Sequence, residues 1–191
     1  MNDKLLEQFS DGIRMIMLCQ RNKEGRDTNK TYRASLKKIT TNKEEFIKVF
    51  EEFQEIKSKS DKPLRIYSCV NKRDIDKGIM NFKREQLETD YYNKESRDNF
   101  YFDIKNRWIS CLMKQNARAE TLFLIDIDDL ICDNQPHIEL IDSHLIEIGA
   151  EIVAKYPTKN GIHIITKPFN PNLFNSEFGE IKKDALLLLD Y

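Results

Sequence analysis

Neither sign of charge prevails in this chain: 31 Lys and Arg stand against 32 Asp and Glu, a formal net charge of -1 over 191 residues. A general nucleic-acid binder draws affinity from neutralising phosphates and carries a basic surplus. Global attraction to a polyanion is therefore excluded, and any nucleic-acid contact has to come from a local basic face. Glycine and proline are scarce, at 6 and 5 residues, which excludes collagen-like and linker-like sequence. The four cysteines, Cys19, Cys69, Cys111 and Cys132, lie too far apart for a zinc finger or ribbon. No zinc is expected, and they read as buried free thiols of a reducing compartment. No run approaches the roughly 18 apolar residues of a membrane span. The opening MNDKLLEQFSDG lacks the apolar stretch of a signal peptide. The expected location is the cytoplasm, with no membrane partner.

What remains is an ordered chain, 40% hydrophobic and 33% charged, long enough to bury roughly 70% of its unfolded surface. Leu5, Leu6, Phe9, Ile13, Ile16 and Met17 fall on one helical stripe over residues 3–18. Thr41 and Glu44 have capping-box spacing, followed by Phe46, Val49, Phe50 and Phe53 at helical intervals. Residues 1–60 are therefore expected to be a helical N-terminal section, with 61–191 forming the core of one compact unit. Within that core Leu64–Val70 reads as a strand, and Asn71 or Asp74 caps a helix carrying Ile75, Ile79 and Phe82. Phe100–Ile104 reads as a strand and Trp108, Ile109 and Leu112 as a short helix. Thr121–Ile127 is a buried strand ending in acids. A helix follows from Pro136 to a stop at Gly149, then strands at Glu151–Tyr156 and Ile162–Lys167 around an Asn-Gly turn, and a last strand at Ala185–Asp190. The expected architecture is α/β (α+β), one mixed sheet with helices on a face.

Three short segments carry residues suited to chemistry. In Leu122-Phe123-Leu124-Ile125-Asp126-Ile127-Asp128 the side chains alternate, so Asp126 and Asp128 point the same way. Two neighbouring carboxylates repel unless a cation lies between them, and hard divalent ions such as Mg²⁺ take one or two carboxylates plus substrate phosphates. In Lys159-Asn160-Gly161-Ile162-His163-Ile164-Ile165-Thr166-Lys167, Gly161 permits close approach and His163, Lys159 and Lys167 offer contacts to a triphosphate. Leu186-Leu187-Leu188-Leu189-Asp190 ends a buried strand on a carboxylate. Each has a plain structural reading too: a solvated acidic turn, a histidine bonded within a sheet, a C-terminal acid. Together they put polar groups at strand mouths, where α/β folds build sites.

In this order FLIDID, KNGIHIIT and LLLLDY resemble the three motifs of the archaeo-eukaryotic primase superfamily: hydrophobic-DxD or DxE, then small-x-His, then hydrophobic-Asp. Upstream, Arg65-Ile66-Tyr67-Ser68-Cys69-Val70-Asn71-Lys72-Arg73 is similar to the strand and Asn-x-Arg segment of primase-polymerase cores. The resemblance covers about residues 64–190. It implies an RRM-like primase-polymerase sheet with packed helices and a two-ion Mg²⁺ or Mn²⁺ site on Asp126, Asp128 and Asp190. His163 is implied at the phosphates, and Asn71 and Arg73 near nucleotide or template. The implied activity is nucleotidyl transfer, adding an NTP or dNTP to a nucleic-acid 3′-hydroxyl on a DNA or RNA template or primer. Where Gly161 stands the family often has serine, so a phosphate-contacting hydroxyl is expected to be missing.

Two other readings stand beside it. One is a catalytically degenerate module of the same fold that binds nucleotide, nucleic acid or a protein partner. The other is a phosphatase resembling the haloacid dehalogenase group, with Asp126 as nucleophile and Asp128 as acid/base. That group expects threonine or valine where Leu130 stands. Lys72, Arg73, Lys77, Lys83 and Arg84 form a local basic segment, and Tyr91, Tyr92, Phe100 and Tyr101 are able to stack bases. Solvation and core packing are the commoner uses of such residues.

Overall fold

The computed structural model describes residues 8–20, 35–128, 135–158 and 161–190. Its contacts divide the chain into two compact units, residues 1–120 with 186–191, and residues 121–185. The protein is mixed α/β, but the single mixed sheet expected from the sequence is two four-stranded sheets, each antiparallel at every pairing.

The first unit contains β1 (Arg14–Gln20), β2 (Ser35–Thr40), α1 (Lys43–Ser58), β3 (Leu64–Cys69), α2 (Ile75–Tyr91), α3 (Arg97–Phe102), α4 (Ile104–Leu112) and β8 (Leu186–Asp190). Its strands run in the order β2-β1-β3-β8. The helical stripe expected through residue 18 is overturned by β1. This strand lies between β2 and β3 and buries Met15 and Ile16 on successive positions. A strand covered on both faces is apolar at nearly every residue, and such a run carries no period that separates it from a helix. Helix α1 lies where expected, although its cap falls one residue later. Asn42 Oδ1 accepts from Glu45 N at 2.9 Å, while Glu45 Oε2 accepts from Thr41 N at 2.8 Å. Its stripe of Phe46, Val49, Phe50 and Phe53 is buried, as the 3.6-residue period requires. Asp74, not Asn71, caps α2, accepting from Lys77 N at 3.1 Å.

The strand expected at Phe100–Ile104 is instead helical, in α3 and the start of α4. Only Phe100 of that aromatic run is deeply buried, and its ring stands 5.6 Å from Phe82 on α2. Packing on a neighbouring helix has replaced pairing with a neighbouring strand.

One buried cation ties β1 to the end of β3. The Arg14 guanidinium is 1% exposed and donates from Nη1 to the carbonyls of Cys69 and Val70 at 3.0 and 2.7 Å. Its Nε donates to Asp11 O at 2.9 Å. Arg14→Met keeps the apolar stem but strands those carbonyls without a donor. We expect a loss of about 2 kcal/mol of stability, read as a lower denaturant midpoint; an unchanged midpoint would show that the carbonyls find other partners.

The second unit contains β4 (Phe123–Asp128), α5 (Gln135–Glu147), β5 (Ile152–Pro157), β6 (Gly161–Thr166) and β7 (Glu180–Lys182). The strand order is β5-β6-β4-β7. The buried strand, the helix and the β5–β6 hairpin match the sequence reading. Gly149 adopts φ +73° and ends α5, with Ala150 N donating to Leu145 O at 2.8 Å. Ile125, Ile127 and Ile164 meet Ile141 and Leu145 of α5 in one core. Among the described residues no helix is long and apolar enough to cross a membrane. Cys69 and Cys111 are buried free thiols as expected, whereas Cys19 is half-buried.

Candidate functional site

Alternation along β4 sorts its side chains. Ile125 and Ile127 enter the core with α5, so Asp126 and Asp128 project from the opposite face of the sheet. Register across the four strands places Tyr156, His163, Asp126 and Glu180 in one transverse row, each opposite the next. Asp128 stands opposite Gly161, which presents no side chain, and is itself exposed.

Both oxygens of Asp126 are engaged. His163 Nε2 donates to Oδ1 at 2.9 Å, and Lys182 Nζ donates to Oδ2 at 2.5 Å. Lys182 also reaches Glu180 Oε2 at 3.4 Å, so one ammonium bridges two carboxylates. The hydrogen bond from His163, opposed by partial burial and reinforced by Lys182, holds the Asp126 carboxyl well below the usual carboxylate range. Burial disfavours the charge on Lys182, yet its bonds to Asp126 and Glu180 win and raise it above its ordinary value. Burial, with the Asp126 charge adding to it, pushes the Tyr156 phenol far up. The Tyr156 ring meets His163 edge-on at 5.4 Å. Among the described residues, the buried His163 Nδ1 and the Tyr156 hydroxyl have no hydrogen-bond partner.

Two glycines let backbone press against β4 from both sides. A Cβ on Gly161 would stand 1.9 Å from Ile127 O, and one on Gly179 would stand 2.5 Å from Asp126 O. The strand spacing at position 161 leaves no room for any side chain.

The remaining candidates lie on other elements or outside the described residues. Asp190 ends β8 in the first unit's sheet, opposite Ile66 of β3, and pairs with Lys57 Nζ at 3.0 Å. Asn71 and Arg73 also belong to the first unit and are buried, at 0% and 3% exposure. Arg73 Nη1 donates to Met113 O at 3.2 Å. Lys167 lies about 13 Å along the strand from His163 and pairs with Glu151 at 2.7 Å. Lys159 lies outside the described residues. In the basic segment Lys72 pairs with Asp11 and Lys77 donates to Arg118 O. Phe100 is core, as expected of an aromatic, but Tyr91 and Tyr92 are 71% and 84% exposed.

Sequence reasoning missed Lys182, Glu180 and Tyr156. Strand β7 has only three residues, too few for a period to register, and nothing along the chain says which strand lies beside β4. Among the described residues no three His, Cys, Asp or Glu side chains are arranged to hold a metal. The donor set nonetheless suits a hard cation: two carboxylates two residues apart on one face, one of them ionised and already holding the ammonium of Lys182. Mg²⁺ commonly takes only one or two carboxylates and completes its shell with water and phosphate oxygens. No family model, curated protein or solved structure matches the chain.

Proposed function

We propose that the Asp126 face of the second unit's sheet is the nucleotide site of a metal-dependent nucleotidyltransferase of primase-polymerase type, adding NTP or dNTP to a nucleic-acid 3′-hydroxyl. The supporting observation is the contact between His163 and Asp126 at 2.9 Å, which joins two of the three motif segments into one polar row beside Asp128. Asp126 and Asp128 would hold Mg²⁺ or Mn²⁺, which when bound neutralises phosphate charge and favours attack by a hydroxyl. His163 is fixed by its bond to Asp126 and orients the triphosphate, and Lys182 supplies positive charge at the same edge. Asp190, which the resemblance makes a third metal ligand, is engaged with Lys57 in the first unit, so the reading rests on Asp126, Asp128 and His163.

One observation favours the catalytically degenerate module as a second reading: His163 and Lys182 already satisfy both oxygens of Asp126. The phosphatase reading gains no support, because these sheets are antiparallel rather than the largely parallel sheet of a Rossmann-like domain.

Calorimetric titration of Mn²⁺ with a non-hydrolysable nucleotide separates the readings. We expect metal-dependent nucleotide binding by the wild type and its loss in Asp126→Ala/Asp128→Ala, followed by primer extension that the double variant lacks. Nucleotide binding that persists without metal and in the double variant supports the degenerate module. Absence of binding to folded wild type overturns the nucleotide reading.

A further inference from the structure

We infer that Lys182 is a tethered counter-cation of the Asp126 carboxylate, one that a divalent ion has to displace before the site is loaded. The inference rests on the metal reading above and deepens it, naming what regulates entry to that site. Lys182 is the second strand residue after Glu180, so both side chains leave β7 on the same face. That face is the one carrying Asp126, since Glu180 and Asp126 are cross-strand partners. The ammonium lies 2.5 Å from Asp126 Oδ2 and 3.4 Å from Glu180 Oε2. The other oxygen of Asp126 is taken by His163.

A divalent ion bonded to Asp126 would share the carboxylate with an ammonium at hydrogen-bond distance. Two cations so close repel strongly in a partly buried setting. Asp126 is 19% exposed and Lys182 38% exposed, so the lysine has a route outward while the carboxylate stays where it is. Four rotatable side-chain bonds let the ammonium leave without moving β7. Asp128, two residues on and exposed, is the carboxylate an arriving ion meets first. Loading is then an exchange of one cation for another on Asp126, with the freed lysine available to an anionic group of the incoming nucleotide. In the metal-free protein the same lysine keeps Asp126 from standing as an unpaired half-buried charge.

The test uses full-length protein and Mn²⁺ alone, followed by electron paramagnetic resonance and calorimetry. Lys182→Met is expected to bind Mn²⁺ at least tenfold more tightly than wild type, whereas Lys182→Arg, which keeps the cation, stays within about threefold. Metal-free Lys182→Met should melt below wild type and gain more from added Mn²⁺. Equal Mn²⁺ affinity in wild type and both variants overturns the exchange while leaving the metal site standing. Absence of Mn²⁺ binding in all three overturns the metal reading and the exchange with it. A second measurement needs no variant: reductive methylation of wild type, mapped by mass spectrometry, should label Lys182 more strongly when Mg²⁺ is present. Labelling that does not change with Mg²⁺ overturns the displacement.

Discussion

Gly161→Ser is expected to break the second unit's sheet, although serine is the residue that the primase resemblance favours there. Any Cβ at this position meets Ile127 O at 1.9 Å, a contact that rotamer choice does not relieve because both groups are fixed to backbone. The strands have to part or lose register, and a one-residue slip turns every side chain to the wrong face. Ile127 would leave the core with α5, and Asp126 would leave the row with His163. We expect a loss of roughly 4 kcal/mol or more, and at this unit's size a fall in melting temperature of roughly 15 °C or more. Hydrogen exchange should show protection lost along β4 and β6 together. Gly149→Ala is the control. Its φ of +73° disfavours a side chain but nothing lies within 4 Å of the new Cβ, so the cost is the conformational one alone, about 1 kcal/mol. Equal, small losses in the two variants would show that β4 and β6 are not spaced as described.

Asp126→Asn removes the charge that holds two cross-strand partners. An amide offers one acceptor oxygen and turns its NH₂ toward either the Lys182 ammonium or the His163 donor. We expect a loss of roughly 2–3 kcal/mol at neutral pH in metal-free protein. The pH dependence has a definite sign. The Asp126 carboxyl lies well below its ordinary value because His163, then Lys182, hydrogen-bond the charged form against the cost of burial. The stability it contributes is therefore fully present above the unfolded value near pH 3.9 and drains away as pH falls below it. Lys182 behaves oppositely. Its raised value contributes stability below about pH 10.5 and loses it as pH rises through the folded value. The pair is thus intact throughout the neutral range. Thermal melts from pH 7 to pH 2 should show the gap between wild type and Asp126→Asn narrowing below about pH 4. A gap that stays constant over that range would mean that Asp126 gains nothing from its two partners.

The candidate site was legible in the sequence only where local geometry decides orientation. Alternation alone put Asp126 and Asp128 on one face, and the β5–β6 hairpin around Asn160-Gly161 brought His163 toward a neighbouring strand. Whether that neighbour was β4 could not be read from either segment. Asp190 shows the opposite outcome. Its run of leucines is a strand as expected, yet β8 pairs with β3 of the first unit, because an apolar strand carries no mark of which sheet it completes. Asn71 and Arg73, which the resemblance places near nucleotide or template, are buried; polarity in a sequence does not reveal burial, and the carbonyls that receive Arg73 lie 40 and 41 residues along the chain.

By itself the sequence determined the elements whose causes are local: the stripe of α1, the helix α2, the buried strand β4, the stop of α5 at Gly149 and the hairpin after it. Each follows from a period, a cap or a turn residue within a few positions. Tertiary structure alone decided that the apolar run of β1 is a strand, that the sheet is two sheets, and that Lys182, 56 residues from Asp126, closes on its carboxylate. Those outcomes depend on which strands become neighbours. That is settled by burial summed over the whole chain, and no window along it contains the information.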